Sequence, residues 1–186
     1  MAPAAFLDGL KAEAYYNDVD HLMDNYSLRA NSGMRMRVPS DSLSYGGRLQ
    51  GEIFSGLDTV WTVGLDQRTN NREALRYSDM MGMRPDVDWV QSLMWPDVTT
   101  AQTGMFVEVD HDLSARDRLR VGVRYDRVAA DAARANDTAD SGTTPADLYD
   151  QYYGTRDDDA SENNVGGLIR YARHLRDRLT IHGTVS

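Results

Sequence analysis

The chain has no cysteine among its 186 residues, which excludes a disulfide framework, a thiolate nucleophile and any metal site built on thiolates. It is also poor in positive charge: 20 Lys and Arg stand against 29 Asp and Glu, for a net charge of -9. Because a nucleic-acid-binding surface needs clustered basic residues, we expect no nucleic-acid partner. An acidic chain is better suited to cations or to basic partners.

Long hydrophobic runs are absent as well. No apolar stretch reaches the ~20 residues of a membrane-spanning helix. The opening MAPAAFLDGL has neither the basic region nor the apolar core of a signal peptide. These absences argue against helical membrane spans only, since a β-barrel strand crosses a bilayer with ~10 residues of alternating polarity.

A hydrophobic period of two residues is present, and it recurs seven times. In the first segment Leu10, Ala12, Ala14 and Tyr16 alternate with polar neighbours. Alternation of this kind predicts strands with one apolar and one polar face. We therefore predict seven strands and no long helix, although a short helical turn around Pro145–Tyr152 is compatible with the sequence. The alternating segments are 10–17, 43–53, 59–68, 104–113, 118–128, 164–175 and 179–186.

The connections between these segments alternate in length. The polar turns FLDGL, FSGLD, SARDR and LRDR are short, whereas three connections are long: Asp24 to Asp41, Thr69 to Thr100 and Ala129 to Asn163. Unstructured loops of ~30 residues are uncommon in compact soluble domains. They are normal in outer-membrane barrels, where short turns face the periplasm and long loops face outside. The pattern predicts an all-β, antiparallel, up-and-down transmembrane β-barrel in the cell outer membrane of a Gram-negative bacterium.

In such a barrel the apolar positions face lipid, the polar positions line the interior, and strands one, three, five and seven run outward. Aromatic residues can form the interfacial girdles. Seven strands cannot close a bacterial barrel, which has an even number, so we expect this chain to be a segment of a longer one. The alternative is a soluble β-meander that acts as a binding module, with one face buried. The expected girdle residues are Tyr15, Tyr16, Tyr45, Trp61, Tyr125 and Tyr171.

The sequence FVEVDHDLSARDRLRVGVRYDRVAADA resembles the repeated hairpins of TonB-dependent outer-membrane receptors, in which a D-L-S-x-x-x-R-L turn precedes a strand ending G-x-R-Y-D. The sequence HLRDRLTIHGTVS is similar to a further hairpin of this kind. Within that family the chain resembles the copper receptor branch. The residues that carry this second resemblance are YYNDVDHLMDNYSLR, NSGMRMRVPSDSLSYGGRLQGE and SDMMGMRP.

The resemblance implies a 22-stranded barrel, of which residues 1–186 form part of one domain, and a plug domain that is absent here. It implies transport of copper or a copper chelate that depends on TonB, which acts through the missing plug and its TonB box. In the copper branch a His-x-Met pair on the barrel resembles HLM, so His21 and Met23 are the implied ligands. The family's Cys-x-x-x-Met on the plug has no counterpart in this sequence.

The residues themselves support part of this assignment. His21 and Met23 continue the odd positions of the first strand, so both face the barrel interior if that strand extends so far. An imidazole with a thioether suits copper, since thioethers select Cu(I). The alternative is that they lie at a strand end without a metal role.

Five further methionines fall in the first two long loops. They are candidates for weak copper-capturing relay sites at the mouth of the barrel, and the sequence leaves the oxidation state of the copper, Cu(I) or Cu(II), open. Alternatively they fill loop space by packing on Trp89 and Trp95. The five are Met34, Met36, Met80, Met81 and Met83.

No Ser–His–Asp constellation, P-loop or EF-hand loop is present, so we predict that the protein is not an enzyme. A ferric siderophore or another metal chelate stays open as the alternative cargo. We interpret the other three histidines, His111, His174 and His182, as structural.

Overall fold

Residues 9–28, 30, 33–176 and 179–185 are described by the computed structural model. Seven strands follow one another along the chain, and each pairs antiparallel with the next. Over the described residues the edge strands β1 and β7 do not pair with each other. The fold class predicted from the sequence, an all-β antiparallel up-and-down barrel segment, is confirmed. The elements are β1 (Gly9–Asp24), β2 (Met36–Phe54), β3 (Thr59–Ser78), β4 (Trp89–Ser114), β5 (Asp117–Ala132), α1 (Pro145–Tyr153), β6 (Asp159–Arg176) and β7 (Leu179–Val185).

The strand register sorts the side chains into a polar face and an apolar face. Glu13 in β1 lies opposite Arg48 in β2, which lies opposite Asp66 in β3. One residue further along β2, Leu49 lies opposite Leu65 on the other face. Leu49 is 47% exposed and Leu65 is 55% exposed, because no second layer of the described chain packs over these strands. The sheet therefore presents a bare row of apolar side chains.

The connections sort by length to the two ends of the sheet. Segments 25–35, 79–88 and 133–158 connect strands at one end, which we call the loop end. Segments 55–58 and 115–116 connect strands at the opposite end, the turn end. As predicted, β1, β3, β5 and β7 run towards the loop end. The FLDGL and LRDR turns lie at least in part outside the described residues.

The strands extend further towards the loop end than the alternation predicted. β2 begins at Met36 rather than near Leu43, while β3 continues to Ser78 and β4 begins at Trp89. Polar and apolar residues are mixed on both faces here, so the hydrophobic period disappears although backbone pairing continues. The expectation that Met36 lies in a loop is therefore wrong.

The longest connection, 133–158, is folded rather than unstructured. It contains α1, in which the Asp147 backbone N–H donates to the N-cap hydroxyl of Thr144 at 3.0 Å. Ala135 and Ala146 are fully buried, and the Ala146 N–H donates to the Ala135 carbonyl at 2.9 Å. The predicted helical turn is confirmed. No helix in the described part of the chain is long and apolar enough to span a membrane.

One of the six aromatic residues assigned to the girdles lies on the wrong face. Tyr15 pairs directly with Gly46 and shares the parity of Glu13. Its hydroxyl lies so close to Gly46 that a Cβ there would be 2.7 Å away. The tyrosine therefore lies over the polar face, and its assignment to a lipid-facing girdle is wrong.

Candidate metal-binding residues and the polar face

His21 and Met23 both lie within β1, opposite Ser40 and Val38 of β2. They share the parity of Glu13, so both belong to the polar face, near its loop end. Both are exposed, Met23 to 51%. No described residue makes a hydrogen bond to the His21 imidazole, which leaves its nitrogens accessible. The expectation that β1 extends through both residues is confirmed, and their side chains share one face.

Met34 and Met36 are held at the start of β2 by one residue, Asn25. Asn25 donates from its side-chain amide to the Met34 carbonyl at 3.1 Å. Its side-chain oxygen accepts the Met36 N–H at 2.9 Å, and its backbone N–H donates to the Met36 carbonyl at 3.2 Å. Both methionines are half-buried. Their backbone positions are therefore well defined next to the end of β1.

Met80, Met81 and Met83 lie in a tight turn directly after β3. Met80 and Met81 adopt positive φ values of 51° and 59°, and Gly82 follows at 83°. Met81 is 78% exposed and Met83 is 74% exposed. Side-chain-bearing residues seldom adopt this conformation, and they keep it only where the surrounding contacts impose it.

All seven candidate residues thus lie towards the loop end, on the first three strands and their connections. They share one end of the sheet although His21 and Met83 are 62 positions apart in the sequence. The available donor set is one imidazole with thioethers, which suits a soft metal ion. Among the described residues, no group of three or more His, Asp or Glu lies close enough together to hold a metal ion.

The polar face is cross-linked by side chains that lie flat across it. Arg124 in β5 passes over Gly104 in β4 and reaches Asp66 in β3 through two hydrogen bonds of 2.7 and 2.8 Å. It also donates to Asp126 at 2.7 Å. A Cβ at Gly104 would overlap the Arg124 guanidinium. The glycine therefore permits an ion pair that spans three strands.

Phe106 uses a second glycine in the same way. Its ring lies over Gly64, where a Cβ would overlap it, and the Arg48 guanidinium stacks on the ring at 4.6 Å. Further towards the turn end, Arg120 pairs with Asp110 at 2.9 Å. Acidic and basic side chains therefore pair with one another on the polar face, which does not carry charge of a single sign.

The remaining histidines each have a polar partner, as the structural interpretation expects. The His111 Nδ1 lies 2.8 Å from the Thr59 hydroxyl, and the His174 Nδ1 lies 2.8 Å from the Thr180 hydroxyl. The His182 Nδ1 lies 3.1 Å from the Arg170 guanidinium. Because a guanidinium only donates, His182 accepts this bond through Nδ1.

Sequence reasoning missed a charged pair beside the candidate methionines. Arg35 donates from Nε to Asp79 at 2.8 Å, and Asp79 is only 2% exposed. The hydrogen bond from the Arg35 side chain, assisted by backbone N–H donors, holds the pKa of Asp79 below its ordinary value. The available signal was that Arg35 and Asp79 directly adjoin methionines in both loops.

Comparisons with known proteins give one informative likeness. No protein-family model matches the chain, and no curated protein matches it. Among solved structures it is similar to copper transporter OprC, with a TM-score of 0.73 and 25% sequence identity. The similarity covers 98% of this chain and 27% of that chain. The chain is thus similar, over nearly its whole length, to about a quarter of a larger transporter, which fits a segment of a larger barrel.

Proposed function

We propose that this chain is seven strands of a TonB-dependent copper receptor in the outer membrane of a Gram-negative bacterium. Residues 1–186 then belong to one barrel domain, whose other strands and plug lie elsewhere in the parent protein. The observation that carries the proposal is the position of His21 and Met23. An imidazole and a thioether lie side by side on the polar face of a sheet whose fold is similar to that of a copper transporter.

The bare apolar face supports the membrane location. Leu49, Leu65, Met105 and Val165 lie on that face in β2, β3, β4 and β6, and they are between 47% and 76% exposed. In water such a surface would be a strong aggregation liability. In a bilayer it faces hydrocarbon, and the paired charges of the other face line the interior. We expect the protein to need detergent or lipid, whereas a soluble β-meander would stay monomeric in plain buffer.

In this proposal the protein performs no covalent chemistry. The exposed thioethers of the loop end capture copper from outside, and His21 with Met23 receive it on the interior wall. Soft thioethers favour Cu(I), and imidazole accepts either oxidation state. Release inward would depend on TonB acting through the plug, whose residues would complete the ligand set.

The test is Cu(I) affinity of the full-length protein after substitution of each ligand. We expect His21→Ala and Met23→Ala each to weaken binding at least tenfold, because even outer-shell partners of metal ligands contribute about 10–100-fold. His182→Ala is the matched control, since this histidine lies on the same face near the turn end. Unchanged affinity in both ligand variants would contradict the proposal.

A metal chelate such as a ferric siderophore is the second candidate cargo. One observation favours it: a cavity of about 580 Å³ on the polar face is lined by three arginines, Arg48, Arg68 and Arg124, against two carboxylates, Glu13 and Asp66. Arginines suit an anionic chelate. Metal content of a strain that lacks the parent gene separates the two cargoes, since loss of iron rather than copper would favour the chelate.

A further inference from the structure

We propose that Asp79 and Arg35 are positioning residues that clamp the two methionine-bearing loops together, so that a soft metal ion meets thioethers from both loops at once. This inference rests on the proposed function, because it concerns how the copper-capturing methionines are held. Neither residue is itself a metal ligand in this account. Their role is to present ligands that belong to two separate segments.

The clamp joins segment 25–35 to segment 79–88 through both side chains and backbone. One carboxylate oxygen of Asp79 accepts the Arg35 backbone N–H at 3.1 Å, and the other accepts the Arg35 Nε–H at 2.8 Å. The Asp79 backbone N–H donates to the Arg35 carbonyl at 3.2 Å. The Arg35 Nη2 donates to the Pro85 carbonyl at 2.8 Å. The two loops are therefore connected at several points.

The position of this pair explains why it would matter for metal capture. The β2–β3 register pairs Met36 with Ser78, so the Arg35–Asp79 contacts continue the ladder by one step. The next step of that register would set Met34 against Met80. The clamp thus lies directly beside one methionine in each loop, Met34 and Met80.

Asp79 also organises the turn that carries the exposed thioethers. Its backbone carbonyl accepts the N–H groups of Gly82 and Arg84, both at 3.1 Å. Between Asp79 and Gly82, the residues Met80 and Met81 are held at positive φ. This conformation persists only where surrounding contacts impose it. Asp79 therefore holds segment 25–35 through its carboxylate and the methionine turn through its carbonyl.

The experiment measures Cu(I) affinity of the full-length protein in detergent, with a competing Cu(I) chelator as the reporter. Asp79→Asn removes the charge but keeps the side-chain size. Asp88→Asn is the matched control, because Asp88 forms an exposed ion pair with Arg84 in the same loop. We expect Asp79→Asn to raise the Cu(I) dissociation constant at least tenfold, since tethered ligands lose effective concentration when their tether loosens. Asp88→Asn should leave it unchanged.

A second variant and a double-mutant cycle separate positioning from general damage. Arg35→Lys keeps the charge but loses the planar fork of donors, so it should weaken Cu(I) binding in the same direction. In a background where Met80, Met81 and Met83 are replaced by Leu, Asp79→Asn should cause no further loss. A further loss in that background would overturn the inference, because the effect would not then act through these thioethers.

Two other outcomes would also overturn the clamp, and they differ in whether the proposed copper capture survives. If Asp79→Asn and Arg35→Lys both bind Cu(I) like the wild type while Met34→Leu binds it more weakly, the clamp has no role and the proposed copper capture survives. If the replacement of the three turn methionines by Leu leaves the Cu(I) affinity unchanged, both the capture role of this turn and the clamp are refuted.

Discussion

Replacement of Gly104 by Ala tests whether the polar face depends on side chains that cross over glycine. The added methyl group would overlap the Arg124 Nη2 and lie 2.7 Å from the Asp126 carboxylate. Arg124 would then have to leave Asp66, whose charge-assisted hydrogen bonds contribute about 1.5–3 kcal/mol. The lower half of that range applies because the Arg124 and Asp66 side chains are 35% and 24% exposed. Replacing glycine by alanine within a strand stabilises the fold by about 0.5–1 kcal/mol. The net decrease in the free energy of unfolding should therefore be about 1 kcal/mol.

The matched control is Gly166→Ala in β6, on the same polar face. A Cβ at Gly166 meets nothing within 4 Å, so this change should stabilise the protein by about 0.5 kcal/mol. The two substitutions are chemically identical and should have opposite signs. The assay is the free energy of unfolding of the full-length protein in lipid vesicles, from denaturant titration. Equal stabilisation by both variants would refute the role of the glycine gap.

Three further predictions test the two faces and the loop end. Leu65→Arg on the apolar face should lower the free energy of unfolding in lipid vesicles by about 2–4 kcal/mol. Thr62→Arg on the polar face should lower it by under about 0.5 kcal/mol. Equal losses would contradict the assignment of the apolar face to lipid. Phe106→Ala should cost about 3 kcal/mol in the same titration, because this ring is only 9% exposed, and a cost below about 1 kcal/mol would show that its packing is unimportant. The Thr144 backbone N–H, with Arg156 assisting, lowers the pKa of Asp147 to about 2, so its contribution to α1 is present above pH ~4 and is lost as the pH falls towards 2. The protection factors for amide hydrogen exchange of residues 146–153 should fall over that window in the wild type, and Asp147→Asn should abolish this fall.

The alternation of apolar and polar residues was sufficient to predict the strands, their antiparallel order and the two faces. It succeeded because the middle part of each strand from β1 to β6 has apolar residues on one face only, as Leu49 and Leu65 show. It failed towards the loop end, where polar and apolar residues are mixed on both faces and the period vanishes. Met36 was therefore placed in a loop, although the backbone there continues to pair with β3.

The candidate site divides in the same way. The side-chain period of a strand is two residues, so the parity of His21 and Met23 could be read directly, and both lie on the polar face as expected. The role of Asp79 could not be read, because its partner Arg35 is 44 residues away and belongs to another loop. Tyr15 was misplaced although its parity was available, because tyrosine was assigned by residue type rather than by position.

The sequence by itself determined which side chains share a face, because backbone geometry makes successive residues of a strand point to opposite sides. It likewise determined that the chain would be an up-and-down sheet with its long connections at one end. Only the tertiary structure decided which residues meet across strands and loops: Arg124 with Asp66 over Gly104, and Arg35 with Asp79 between the methionines. Such contacts depend on register and on the path of the connections, which arise from the pairing of distant segments rather than from any local pattern.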